Sequence, residues 1–172
     1  LKFTRQGRVE ITVGLEGANL VDEAFAGTKG DAAAASTRLK AALAKYTSLA
    51  EKSAQAAAQA SGWDYLGLDP TPAPLKDVSI GAAIERFTGR PFGSSGTLSA
   101  ARLITEAVKS VPAKQVGYSG LMLPVLEDSR IAQRRSEGAV HIDSLLATRP
   151  CAPPASTPCR CRCTSRRGCS RS

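Results

Sequence analysis

The sequence predicts an α/β fold: a partial barrel or curved, largely parallel sheet flanked by helices, with a disordered C-terminal tail. Three observations carry that expectation. A stretch near the start alternates with period 2, later strand-like stretches alternate with helical patterns, and all regularity stops at Thr148. The 172 residues suffice for one ordinary core, and a content of 42% hydrophobic residues excludes a wholly disordered chain.

Val9, Ile11, Val13 and Leu15 alternate with polar or small residues, the pattern of a strand. EGANLVDEAFAG then predicts a short helix ending near Gly27. Residues 31–60 read as one long helix, with Leu39, Leu43, Tyr46 and Ala50 on one stripe and Gly62 as its stop. WDYLGLD (63–69) is a candidate strand, and the prolines of PTPAPLKD hold the next segment extended. Residues 78–89 predict a helix with Ile80, Ile84 and Phe87 on one side. After GRPFGSSG, residues 97–110 predict another, with Leu98, Ala101, Ile104 and Val108 on one face. KQVGYSG (114–120) reads as strand into loop, and LMLPVLED (121–128) as a mostly buried segment broken by Pro124. Two short helices follow, 129–137 and 141–147.

The net charge of +8 resembles a nucleic-acid signal until it is divided. Residues 148–172 hold six of the 23 basic residues and no acid, which leaves 17 basic against 15 acidic residues in positions 1–147. The body is electrostatically ordinary and predicts no specific nucleic-acid partner. No apolar run approaches the roughly 20 residues of a membrane helix, so no membrane partner is expected either. All five cysteines lie in the tail. The cysteine-free body makes a cytoplasmic location the default expectation, and the chain is expected to begin inside a longer protein.

Chemistry is sparse. LDPTPAPLKD places Asp69, Lys76 and Asp77 around a stiff turn at the end of a strand, the edge where α/β sheets bind ligands. Two carboxylates and an amine suit acid–base work, so these three residues and Tyr118 form the candidate catalytic set. The alternative is an ordinary loop with Asp77 near a helix start. Gly93, Ser94, Ser95, Gly96 and Thr97 precede a helix and form a candidate clamp for a small anion; Thr97 or Ser95 as a simple helix cap is the plainer reading. Ser119 and Glu127 complete the candidate ligand-binding set, with Glu127 and Asp128 placed to close the pocket; the equal alternative for Asp128 is a cap on the next helix. His141, the only histidine, reads as solvated. No metal site is expected: the C-x-C-x-C of the tail lacks zinc-ligand spacing, and the sequence names no cofactor.

The stretches ITVGLEGANLVDEAFAG, YLGLDPTPAPLKDVSIGAAIERFTGRPFGSSGTL, LITEAVKS and GYSGLMLPVLEDSRIAQRRSEG resemble the domain-of-unknown-function 711 family over about residues 8–147. The resemblance implies a longer protein whose α/β barrel is similar to that of glycyl-radical enzymes such as pyruvate formate-lyase. The glycyl-radical motif is not among these residues, so it implies a fold and not radical chemistry. It also implies an uncharacterised enzyme-like protein with a small-molecule ligand, of which this chain would be a truncated copy, and a homo-oligomer as an option for the intact protein. The alternative is a non-catalytic ligand-binding or regulatory protein. Where the family reads approximately YSAVCGTGLDTVPLPGD, this chain has TRPCAPPASTPCRCR. Back-translated with GC-rich codons and read two bases later, that string becomes SAVCAPGLDTVPLP. Residues 148–172 are therefore expected to be an out-of-frame reading, and the chain is not expected to be an active enzyme.

Overall fold

The structure is a computed structural model that describes residues 2–5, 8–74, 78–141 and 143. The alternating run becomes strand β2 (Arg8–Gly14), and WDYLGLD becomes β3 (Asp64–Asp69). They pair in parallel from Glu10 opposite Asp64 to Gly14 opposite Asp69, with a register shift between Ile11 and Thr12. A strand that the sequence reading missed, β1 (Lys2–Arg5), pairs antiparallel with β2, from Lys2 opposite Ile11 to Arg5 opposite Arg8. Only two residues separate β1 from β2, the spacing of a tight hairpin. The sheet order is β1-β2-β3. The fold is thus α/β, but the sheet is small and mixed, and these strands do not make a barrel.

Helix α1 (Ala18–Phe25) follows β2, and α2 (Ala32–Ser61) returns the chain to β3. Asp31 caps α2 by accepting the Ala33 and Ala34 N–H groups at 3.0 Å, and Gly62 closes it in a left-handed conformation. The buried stripe of α2 is Ala35, Leu39, Leu43, Thr47, Ala54 and Ala58. The expected stripe erred at Tyr46, which is 45% exposed. Thr47 takes the inward position because its hydroxyl donates to the Leu43 carbonyl at 2.6 Å and so leaves no bare polar atom inside.

Helices α3 (Ile80–Thr88) and α4 (Thr97–Lys109) complete the core with α1 and α2. Phe25 stacks on Phe87 with ring centroids 4.5 Å apart, and Leu39, Leu43, Ile80, Ile84, Ile104 and Val108 are buried around them. Leu98 departs from the expected α4 face and is half exposed, while Leu103 is buried. The 121–128 segment is less buried than its composition suggested: Met122 and Leu126 are exposed, and Leu121, Leu123 and Val125 are only partly buried. Helix α5 (Ser129–Ser136) packs on α3. His141 is exposed and outside any helix. The expected 141–147 helix otherwise falls almost wholly outside the described residues, as does the whole of 148–172. Among the described residues, no helix is long and apolar enough to cross a membrane.

The C-terminal half of α2 anchors the sheet. Glu51 accepts the Tyr65 hydroxyl at 3.3 Å and the Lys114 N–H at 3.1 Å. Burial, then the Glu51 charge and this hydrogen bond, push the Tyr65 phenol up to about 12.

Candidate functional site

A third chain segment runs beside β3. The Leu68 N–H donates to Lys114 O and the Val116 N–H to Leu68 O, both at 2.9 Å, which sets Gln115 parallel to Leu68. Three parallel segments therefore end on one edge, and the loops that leave them meet. The Leu15 N–H donates to Asp69 O at 3.0 Å, and Glu16 is bridged to Pro72.

Asp69 ends β3 and organises this edge. Its Oδ1 accepts the Thr71 N–H at 3.0 Å, the Thr71 hydroxyl and the Ser119 N–H at 3.1 Å, while Oδ2 accepts the Tyr118 N–H at 2.9 Å. The Thr71 hydroxyl in turn accepts the Gly120 N–H at 3.3 Å. Successive N–H groups facing one carboxylate form an anion-binding concavity, and here the bound anion is the protein's own side chain. Gly117 permits the approach: its φ is +76°, and a Cβ there would collide with Asp69 Oδ2. Ser119 has φ +46°, an uncommon conformation for a residue other than glycine, and its hydroxyl donates to Val116 O at 3.0 Å.

The structure thus brings Asp69, Tyr118 and Ser119 together. Asp69 shapes the backbone with both carboxylate oxygens engaged, and Tyr118 is half exposed, its hydroxyl donating to Leu121 O at 3.4 Å. Lys76 and Asp77 lie outside the described residues. Thr71 was missed. The Asp-x-Thr spacing of 69–71, which favours an Asx turn, could have signalled it.

The glycine-rich turn draws on other elements. Gly93 and Gly96 border Ala139, Val140 and Thr88. The Gly93 N–H donates to Thr97 Oγ1 at 3.1 Å, the Ser94 N–H to Pro91 O at 3.1 Å and the Thr97 N–H to Ser94 O at 3.2 Å. The helix cap is Gly96, not Thr97 or Ser95: Thr97 is already helical and spends its hydroxyl on the turn. Ser95 is exposed, as is Glu127, whose N–H donates to Pro124 O at 3.2 Å.

Two carboxylates join α3 to its neighbours. Asp128 is fully buried and caps α5, accepting the Arg130 and Ile131 N–H groups at 3.1 Å each. It also accepts the Ser79 hydroxyl and the Gly81 N–H (3.1 Å), while Ser79 caps α3 through the Ala82 N–H at 2.9 Å. One side chain therefore serves two helix starts. Burial pushes the Glu85 carboxyl up, but the Arg134 hydrogen bond, the Phe92 N–H and the charges of Arg134 and Arg130 outweigh it, so Glu85 lies below its ordinary value. Among the described residues, no group of three or more His, Cys, Asp and Glu side chains is placed to hold a metal.

Helices packed against a parallel strand pair, with a self-bound carboxylate locking the loops at its C-terminal edge, define an α/β protein. More specifically, the chain belongs to the family described as Uncharacterised ACR (DUF711), whose model matches residues 2–152. It is 34% identical over 125 residues to a UPF0210 protein of Pyrobaculum aerophilum, covering 69% of this chain and 28% of that protein. It is 32% identical over 147 residues to a UPF0210 protein of Leuconostoc mesenteroides, covering 81% of this chain and 33% of that one. A UPF0210 protein of Methanococcus aeolicus is 37% identical over 86 residues, 48% of this chain and 18% of that protein. The chain thus spans about a third or less of these curated relatives.

Proposed function

We propose that this chain supplies part of a small-molecule site of an enzyme-like α/β protein, built at the C-terminal edge of β2 and β3. The observation that supports it is the Asp69 clamp, which joins the 70–74 loop to the 117–120 loop on the edge where α/β sheets bind ligands. Backbone held in sparsely populated conformations, as at Ser119, clusters at such sites. In this reading Asp69 positions the loops, Tyr118 and Ser119 face the ligand, and Lys76 and Asp77 supply charge from the adjoining loop. The setting is cytoplasmic, in keeping with a body free of cysteine.

In the intact family protein, this sheet continues into a barrel or strongly curved sheet resembling that of glycyl-radical enzymes. The parallel β2–β3 pair and the parallel Gln115 bridge support that extension. The tail from Thr148 is an out-of-frame reading. A composition break at Thr148 supports it, and the coding sequence across residues 140–172 tests it.

The functional reading is tested on a full-length family protein carrying this segment. Thermal unfolding is followed with a panel of small carboxylates and phosphate esters. A compound that raises the midpoint of the unchanged protein, but not of Lys76→Ala or Tyr118→Phe, supports the site. Equal shifts in all three proteins would place binding elsewhere.

A further inference from the structure

Helix α5 is weakly held by apolar contact, since Ile131 is its only buried residue. Polar links do most of the fastening. Asp128 joins the start of α5 to the start of α3 through Ser79 and Gly81. Arg134 grips Glu85 twice, Nε to Oε1 at 2.6 Å and Nη2 to Oε2 at 3.2 Å, and Arg130 Nε adds a longer contact at 3.5 Å. The same Glu85 Oε1 accepts the Phe92 N–H at 2.8 Å, so one carboxylate holds both α5 and the entrance to the glycine-rich turn. Beyond α5 the chain folds back over that turn: a Cβ on Gly93 would lie 2.8 Å from Ala139 O and 3.1 Å from Val140 Cγ2.

We propose that residues 128–140 form a strap over the glycine-rich turn 91–97, and that strap and turn open together as one cooperative unit, separately from the α1, α2 and α4 core. The turn is linked to the strap at two points, Phe92 through Glu85 and Gly93 through Ala139–Val140. Each set of contacts needs the other in place. The strap has two buried apolar anchors, Ile131 and Val140, against many polar contacts, and a segment so fastened belongs to the low-stability end of a fold, where local opening precedes global unfolding. Opening would release the N–H groups of Phe92, Gly93 and Ser94 together and change the shape of any surface the turn presents.

Hydrogen exchange on the whole 172-residue chain tests this from both sides. Arg134→Ala removes the two-point grip, and amides of 129–139 and of 92–97 are expected to exchange about tenfold faster or more, the size of a lost charge-assisted pair. Amides of α2 should keep their rates. Gly93→Ala works from the turn: its φ of +95° and the nearby Ala139 carbonyl oppose a side chain, so the α5 amides should accelerate although no α5 residue has changed. Should Gly93→Ala unfold the chain, Glu85→Gln replaces it, weakening the shared link without adding a clash. Accelerated α5 amides with unchanged rates at 92–97 in Arg134→Ala would overturn the proposal. Equal acceleration of the α2 core would also overturn it, because no separate unit would then exist.

Discussion

Asp69 and Gly117 are one device seen from two sides. Removing the carboxylate in Asp69→Ala strands the Tyr118 and Ser119 N–H groups, and the chain should lose about 2 kcal/mol, typical of donors deprived of a charged acceptor. Gly117→Ala forces a side chain into a left-handed conformation and against Oδ2, with a loss of similar size. Much of the second loss is collision with a carboxylate that the first substitution removes. The double variant is therefore expected to be less destabilised than the sum, by about 1 kcal/mol, in denaturant titrations. Strict additivity would show that Gly117 is needed for its backbone alone. At this scale the sequence was only partly readable. DPTP and GYSG each suggested a site, but nothing in either stretch shows that Asp69 is filled by the N–H groups of the other. Such pairing depends on segments nearly fifty positions apart, beyond the reach of local spacing.

The helices were the legible part, because burial repeats along them with a fixed period. The bounds of α2, α3 and α4 lie within two residues of those expected, and the stripe differs at Tyr46 because the spacing of four from Leu39 to Leu43 continues to Thr47. Thr47 can be buried because it bonds to its own helix, so Thr47→Val should change stability by less than about 0.5 kcal/mol. Leu43→Ala, four residues earlier and 1% exposed, is expected to cost about 3 kcal/mol by chemical unfolding. The join between α3 and α5 has a different signature, in pH. Glu85 titrates below its ordinary value, so its ionised form is favoured in the folded chain. That contribution is fully present above the unfolded carboxyl value and is lost as pH falls through the lower folded one. Acid titration should therefore expose the amides of α5 before those of α2, and Glu85→Gln should flatten the effect. If α5 and α2 open at the same pH, Glu85 does not control the join.

Across the molecule, the α/β class and the parallel β2–β3 pair could be read, and the antiparallel edge strand could not. Strand alternation at 9–15 gave β2, but Lys2–Arg5 is too short to show a period, and its antiparallel pairing makes the sheet mixed where a largely parallel one was expected. The surface also differs from what composition implied, since Leu126 is 97% exposed in a segment that looked internal. Leu126→Ser is accordingly expected to leave unfolding free energy within about 0.5 kcal/mol of its starting value while improving solubility. A loss of several kcal/mol in light of such exposure would mean that Leu126 is covered in solution.

Tyr118 to Asp69, Asp128 to Ser79 and Arg134 to Glu85 each join residues 49 positions apart. Closing a loop of that size costs chain entropy, but the three loops overlap over most of their length, displaced by ten and then six residues. Whichever link forms first in folding brings the other two within short reach, so the entropy is lost once and three contacts share it. Folding kinetics should carry that imprint. Substitutions at any one link should mainly speed unfolding, because the remaining links can still close the loop on the way in. Only disabling all three should slow folding markedly, a difference that the two arms of a denaturant-dependence plot would resolve.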